Sequence, residues 1–160
     1  MTIPNRVTVK QIILQRSKVK LTEQAKETII FLICLINVFL FLYTAYSKIM
    51  DHQRFAAGLS RIAYIGKISA FIAWTVPILE ILISILLIIP YTFKWGLYCF
   101  TGLMAIFTGY ILSMVLLAKI LPCHCGGVIE KLSWTQHIWF NLAFIAIAMY
   151  ALWLTSKTKL

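Results

Sequence analysis

Residues 28–46 read TIIFLICLINVFLFLYTAY, nineteen consecutive positions without a charge. A bilayer hydrocarbon core about 30 Å thick is crossed by about 20 apolar residues rising 1.5 Å each. This stretch is therefore a membrane-spanning helix by length and composition. Three others follow: Ala70–Ile89 with Glu80 as its one charge, Trp95–Ala118 with none, and Trp134–Leu154 with none beyond the titratable His137. Barrel strands would alternate in polarity over about ten residues, and these runs do not. The predicted fold is all-α, a transmembrane four-helix bundle. The composition agrees: of 160 residues 61% are hydrophobic and 12% charged, against roughly 45–50% and 25% in soluble domains. A soluble enzyme, a disordered chain and a fibrous repeat are excluded.

The net charge of +10 suits flanks that meet anionic lipid headgroups. Nucleic acid is not expected as a partner, because no basic-aromatic platform stands outside the apolar runs. The flanks divide the chain into a basic cytoplasmic segment (1–27), a four-helix membrane domain (28–154) and a basic cytoplasmic tail (155–160). The first span is too long for a signal h-region and lacks a small-residue cleavage site after it, so it is expected to stay as an anchor. Six Lys/Arg precede the first span, more than in any loop. With both termini cytoplasmic, nine basic residues lie inside and six outside, which the positive-inside rule favours. The expected location is a bacterial inner membrane. In Asp51–Gly66, Phe55, Leu59 and Ile62 recur at helical spacing behind Asp51 as N-cap. That spacing predicts a short interfacial helix between helices 1 and 2. The N-terminal VTVKQIILQRSKVKL mixes basic and aliphatic residues and reads as a segment on the inner surface. For both flanks a solvated linker is the alternative.

Topology sorts the four cysteines. Cys123 and Cys125 lie in LPCHCGGV (121–128), in the loop between the third and fourth spans, facing an oxidising compartment on the chosen orientation. Cys34 and Cys99 sit inside spans near the opposite edge, roughly 20–30 Å from the loop pair by helix rise, and read as small packing residues. A Cys-x-Cys ring is tight, and a strained disulfide is more easily reduced. Pro122 stiffens the approach, Gly126 and Gly127 allow a partner chain close, and His124, when protonated, favours a thiolate. A redox-active dithiol is the leading reading. The alternatives are metal capture by Cys123, Cys125 and either His124 or His137, or an inert loop tie.

Two polar groups fall at mid-membrane depth. Glu80 lies about ten residues into its span, where a charge costs at least about 2.5–3.5 kcal/mol, so it needs a partner inside the bundle. Asn37, at matching depth in the first span, is the candidate. Pro77, one turn earlier, frees a carbonyl and predicts a kink. The pair reads either as a proton relay or quinone-headgroup contact, or as an interhelical hydrogen bond. His137 and Asn141, four residues apart, share a helical face behind the capping-box pattern Ser133-x-x-Gln136. His137 is placed to move protons for thiol exchange, or to sit at the interface beside Trp134 and Trp139. The five Trp and seven Tyr otherwise gather near span ends as an aromatic belt. No phosphate-binding Gly loop, nucleophile elbow, haem-ligation pattern or internal repeat is present.

Three motifs together resemble the MauE/DoxX group of small four-helix redox-associated membrane proteins. Ser47-Lys48-Ile49-Met50-Asp51 followed by Phe55 is similar to the element after the first helix of DoxX-like proteins, and Pro77-x-x-Glu80 to their second-helix element. Cys123-His124-Cys125-Gly126-Gly127, followed by Trp134, His137, Phe140 and Asn141, resembles the MauE-type third loop and fourth helix. The likeness covers about residues 28–154. It implies a role in disulfide handling outside the membrane, such as maturation of the disulfide-rich small subunit of methylamine dehydrogenase. The expected function is a membrane thiol–disulfide oxidoreductase whose Cys123 and Cys125 exchange with a thioredoxin-like protein or disulfide-containing client. The residues establish no cofactor; a quinone near Asn37 and Glu80 is the electron acceptor this reading allows. A metal-capturing or structural subunit of a membrane complex is the alternative.

Overall fold

The computed structural model describes residues 6–60, 66–117 and 133–157. All described elements are helical, in the order α1 (Arg6–Met50), α2 (His52–Ser60), a 3-10 turn (Gly66–Ile68), α3 (Ser69–Ile88), α4 (Phe93–Leu117) and α5 (Trp134–Lys157). Four of them, α1, α3, α4 and α5, are long and apolar enough to cross a membrane. The four-helix reading therefore holds, with the short helix α2 between the first two spans.

Two boundaries differ from the sequence expectation. The N-terminal basic stretch is continuous with the first span, because α1 starts at Arg6. Between Pro4 and Gly58 the chain contains neither Gly nor Pro, so nothing interrupts backbone hydrogen bonding. The short α-helix is described over His52–Ser60, and Gly66, the predicted end, belongs instead to the 3-10 turn. Asp51 does mark its start: its amide bonds back to the Ser47 carbonyl, and its own carbonyl accepts the Phe55 amide at 3.0 Å. Ile62 lies outside the described residues. α3 continues through Pro77.

α1 packs mainly on α3 and α4 on α5, with α3–α4 and α1–α5 contacts closing the bundle. The centre is aromatic: Phe41 and Phe100 are fully buried with ring centroids 4.3 Å apart. Ala148 and Ala151 on α5 are also fully buried, and small side chains at such positions let helix backbones approach. The opposite faces carry exposed Phe31, Phe39, Phe71 and Leu116, as expected where lipid chains replace water. Cys34 belongs to the buried core, whereas Cys99 faces outward, and the two are unbonded.

The α3–α4 hairpin is held by Thr92, whose hydroxyl donates to the Leu86 carbonyl at 3.0 Å. The tightest spot is Gly96. A Cβ there would stand 2.9 Å from the Leu87 backbone nitrogen and 3.0 Å from the Leu86 carbonyl carbon. Backbone cannot yield as a side chain can. Gly96→Ala should lower the thermal midpoint in detergent by several degrees. Gly102→Ala should leave it unchanged or raise it, since Gly102 has open space around it and alanine favours helix.

Candidate functional site

One end of the bundle is where α1 finishes, α3 begins, α4 finishes and α5 begins. In sequence, residues 118–132 lie between α4 and α5. The helix termini surround a cavity of about 250 Å³. Its polar wall is made by Thr44 and Lys48 from α1, Glu80 from α3, Tyr110 from α4, and His137 and Asn141 from α5. Phe41, Phe55, Phe107 and Phe140 supply aromatic walls, and Leu59 of α2 closes over it.

An ion pair organises the polar wall. Lys48 donates from Nζ to Glu80 Oε1 at 2.5 Å, with both side chains buried. The Thr44 hydroxyl lies 3.2 Å from the same carboxylate oxygen. Lys48 Nζ also stands over the Phe107 ring at 5.2 Å and the Phe55 ring at 5.9 Å. Such faces attract a desolvated cation. Glu80 Oε2 is buried without a hydrogen-bond partner, although its residue lines the cavity.

This geometry corrects the pairing expected for Glu80. Its partners are Lys48 and Thr44, not Asn37. α1 continues past its apolar stretch to Met50, so equal counting depths on α1 and α3 are not equal heights. The antiparallel register sets Thr44 and Lys48 opposite Glu80. Asn37 lies seven residues before Thr44, about 10 Å along the axis. It is fully buried, neither amide atom has a hydrogen-bond partner, and it does not line the cavity.

Thr44, Lys48 and Tyr110 are the polar-wall residues that sequence reasoning did not bring to the site, Lys48 because it reads as a flank cation just beyond the first span. A signal was present nonetheless. Asn37, Phe41, Thr44 and Lys48 follow the three-and-four spacing of one helix face, so Lys48 lies on the inward stripe. The long lysine stem can lie along apolar surface while its ammonium meets a carboxylate.

The start of α5 matches the expected capping box. The Ser133 amide donates to Gln136 Oε1 at 2.9 Å, and the Gln136 amide reaches Ser133 Oγ at 3.4 Å. His137 follows in the first turn, and Asn141 one turn on is buried. Both line the cavity. Asp51 lies outside it, in a shallow depression with His52 and Arg54. Cys123, His124 and Cys125 lie outside the described residues. Among the described residues no three His, Cys, Asp or Glu side chains converge as a metal site.

The family model described as "Methylamine utilisation protein MauE" matches residues 26–154. The chain belongs to the MauE family. The match takes in all four spans, the Lys48–Glu80 pair and the segment between α4 and α5. No curated protein and no solved structure shows a significant match to this MauE-family chain.

The ion pair gives the site a direct test. Breaking a buried pair by removing one charge leaves the other uncompensated, at a cost of about 3–5 kcal/mol. Glu80→Gln should therefore lower thermal stability in detergent strongly. A Lys48→Met/Glu80→Gln double variant, which removes both charges, should recover most of that loss. A double variant as unstable as Glu80→Gln alone would show that the two residues are not coupled.

Proposed function

We propose that this chain is an integral membrane thiol–disulfide oxidoreductase that assists disulfide formation in extracytoplasmic clients. Cys123 and Cys125 are the exchanging pair in this reading. The observation that carries it is the position of His137: one turn into α5, twelve residues after Cys125, and lining a cavity that holds a second set of ionisable groups. In sequence the Cys-x-Cys segment leads directly into the helix that carries this proton-handling side chain. The chain lies in a bacterial inner membrane with both termini cytoplasmic, so that the pair faces outward.

The chemistry balances as an exchange. A client thiolate attacks one sulfur of the Cys123–Cys125 disulfide, forming a mixed disulfide and releasing the other sulfur. The client's second thiolate then displaces the first sulfur. The client leaves with a new disulfide, and the loop pair holds two electrons and two protons as a dithiol. His137 accepts a proton from the incoming thiol and returns one to the departing sulfur, and His124 between the sulfurs favours the thiolate. The family's description supports methylamine utilisation as the setting. A disulfide-rich dehydrogenase subunit, or a thioredoxin-like protein that serves it, fits as client. The motifs around Lys48 and Glu80, similar to those of DoxX-like proteins, supply a polar wall to the cavity that His137 lines.

Serine variants test this. Cys123→Ser or Cys125→Ser should accumulate a reductant-sensitive mixed disulfide on non-reducing gels. His137→Gln should slow its formation by about 10²-fold without preventing it. A membrane-impermeant thiol reagent should label the reduced loop from outside the cell. If neither serine variant traps a partner, the exchange role fails. Stoichiometric zinc or copper in anaerobically purified protein, lost in Cys123→Ser, would replace it with metal capture.

A further inference from the structure

The cavity between the spans has a chemistry of its own. It is about 250 Å³, below the roughly 300–1,000 Å³ that enclose a drug-sized ligand. It suits a head group rather than a whole molecule. Ile106 of α4 lines it and is also 68% exposed on the lipid-facing side. An apolar tail has a way out past this side chain.

Charge selects among the possible heads. Lys48 and Glu80 compensate each other, so the wall has no net charge to attract an ion. An anion would meet the unpartnered Glu80 Oε2, and a cation would meet the Lys48 ammonium. The guest is neutral. The wall offers donors from Lys48 and Asn141, an unused acceptor in Glu80 Oε2, and His137, which serves as either. A carbonyl oxygen and a hydroxyl group are both accommodated. The surrounding phenyl rings of Phe41, Phe107 and Phe140 suit a flat ring by offset or edge contacts.

A neutral flat ring, carrying carbonyls in one state and hydroxyls in another, with an apolar tail, is a quinone. We infer that this cavity is a quinone/quinol site, with Glu80, Lys48, His137 and Asn141 around the ring's oxygens and the tail leaving past Ile106. The inference rests on the thiol–disulfide reading for its purpose. Closure of the Cys123/Cys125 dithiol to a disulfide releases two electrons and two protons, and reduction of one quinone to quinol takes up both pairs. The site also differs from the position expected from sequence, since Asn37 plays no part in it.

A photoreactive short-tailed ubiquinone tests the binding site independently of thiol exchange, using a Cys123→Ser/Cys125→Ser variant in lipid nanodiscs. Irradiation should label peptides spanning 41–48, 55–59 and 103–111, and unlabelled decylubiquinone should suppress the labelling saturably. Ile106→Trp, which fills the cavity mouth from a lipid-facing position without touching the ion pair, should reduce labelling at least tenfold. Ile88→Trp, exposed at the other end of α3, should leave it unchanged. Labelling spread over the lipid-facing surface, or indifferent to Ile106→Trp, would overturn the inference, as would equal suppression by a fatty acid. Mixed-disulfide trapping without specific labelling would defeat this site and spare the exchange role. Specific labelling without trapping would do the reverse.

Discussion

Two opposite charges carried into a lipid-embedded bundle are stable there only while they touch. Lys48 and Glu80 meet that condition, on helices whose other buried side chains are mostly aliphatic and aromatic. In lipid, apolar side chains gain little by leaving hydrocarbon for protein, so apolar packing alone specifies helix register weakly. A buried ion pair specifies it sharply, since sliding α1 past α3 by one turn would leave both charges without a partner. The rest of the cavity follows from that register. With Lys48 opposite Glu80, the rings of Phe55 and Phe107 stand over the ammonium, and α2, which carries Phe55, packs chiefly on α3. The pocket forms in the space the pair holds open.

The spans were legible because their evidence is local and redundant. The runs 28–46, 70–89, 95–118 and 134–154 are long and apolar, with Glu80 the one Asp, Glu, Lys or Arg among them, and the start of α1 moved where no Gly or Pro interrupts the chain. The capping box was legible for the same reason: Ser133 and Gln136 satisfy each other's backbone within a single turn. His137 and Asn141 were correctly assigned one face by spacing alone.

Pairing across helices was another matter. Glu80 announced its need for a partner, since a carboxylate in a span requires one, but depth counted from span edges named Asn37. The error was in the assumption that apolar runs are level with one another. Lys48 stood just beyond its run and looked like a flank cation, although its spacing from Thr44 and Phe41 aligned it inward. Register is a property of two helices together, and a single sequence states it only indirectly. The fully buried amide of Asn37, about three turns before Lys48 on α1, shows how far that indirect reading strayed.

α1 has a further consequence. It runs without a joint from Arg6 to Met50, and only its portion from Glu23 onward qualifies as a span. Seventeen residues of rigid rod extend beyond, about 25 Å at helical rise. A flexible tether would let the amino-terminal arginine and lysines sample a volume. A continuous helix instead fixes their stand-off, so whatever engages them does so at a set distance from the bundle and pushes on the same shaft that ends at the cavity.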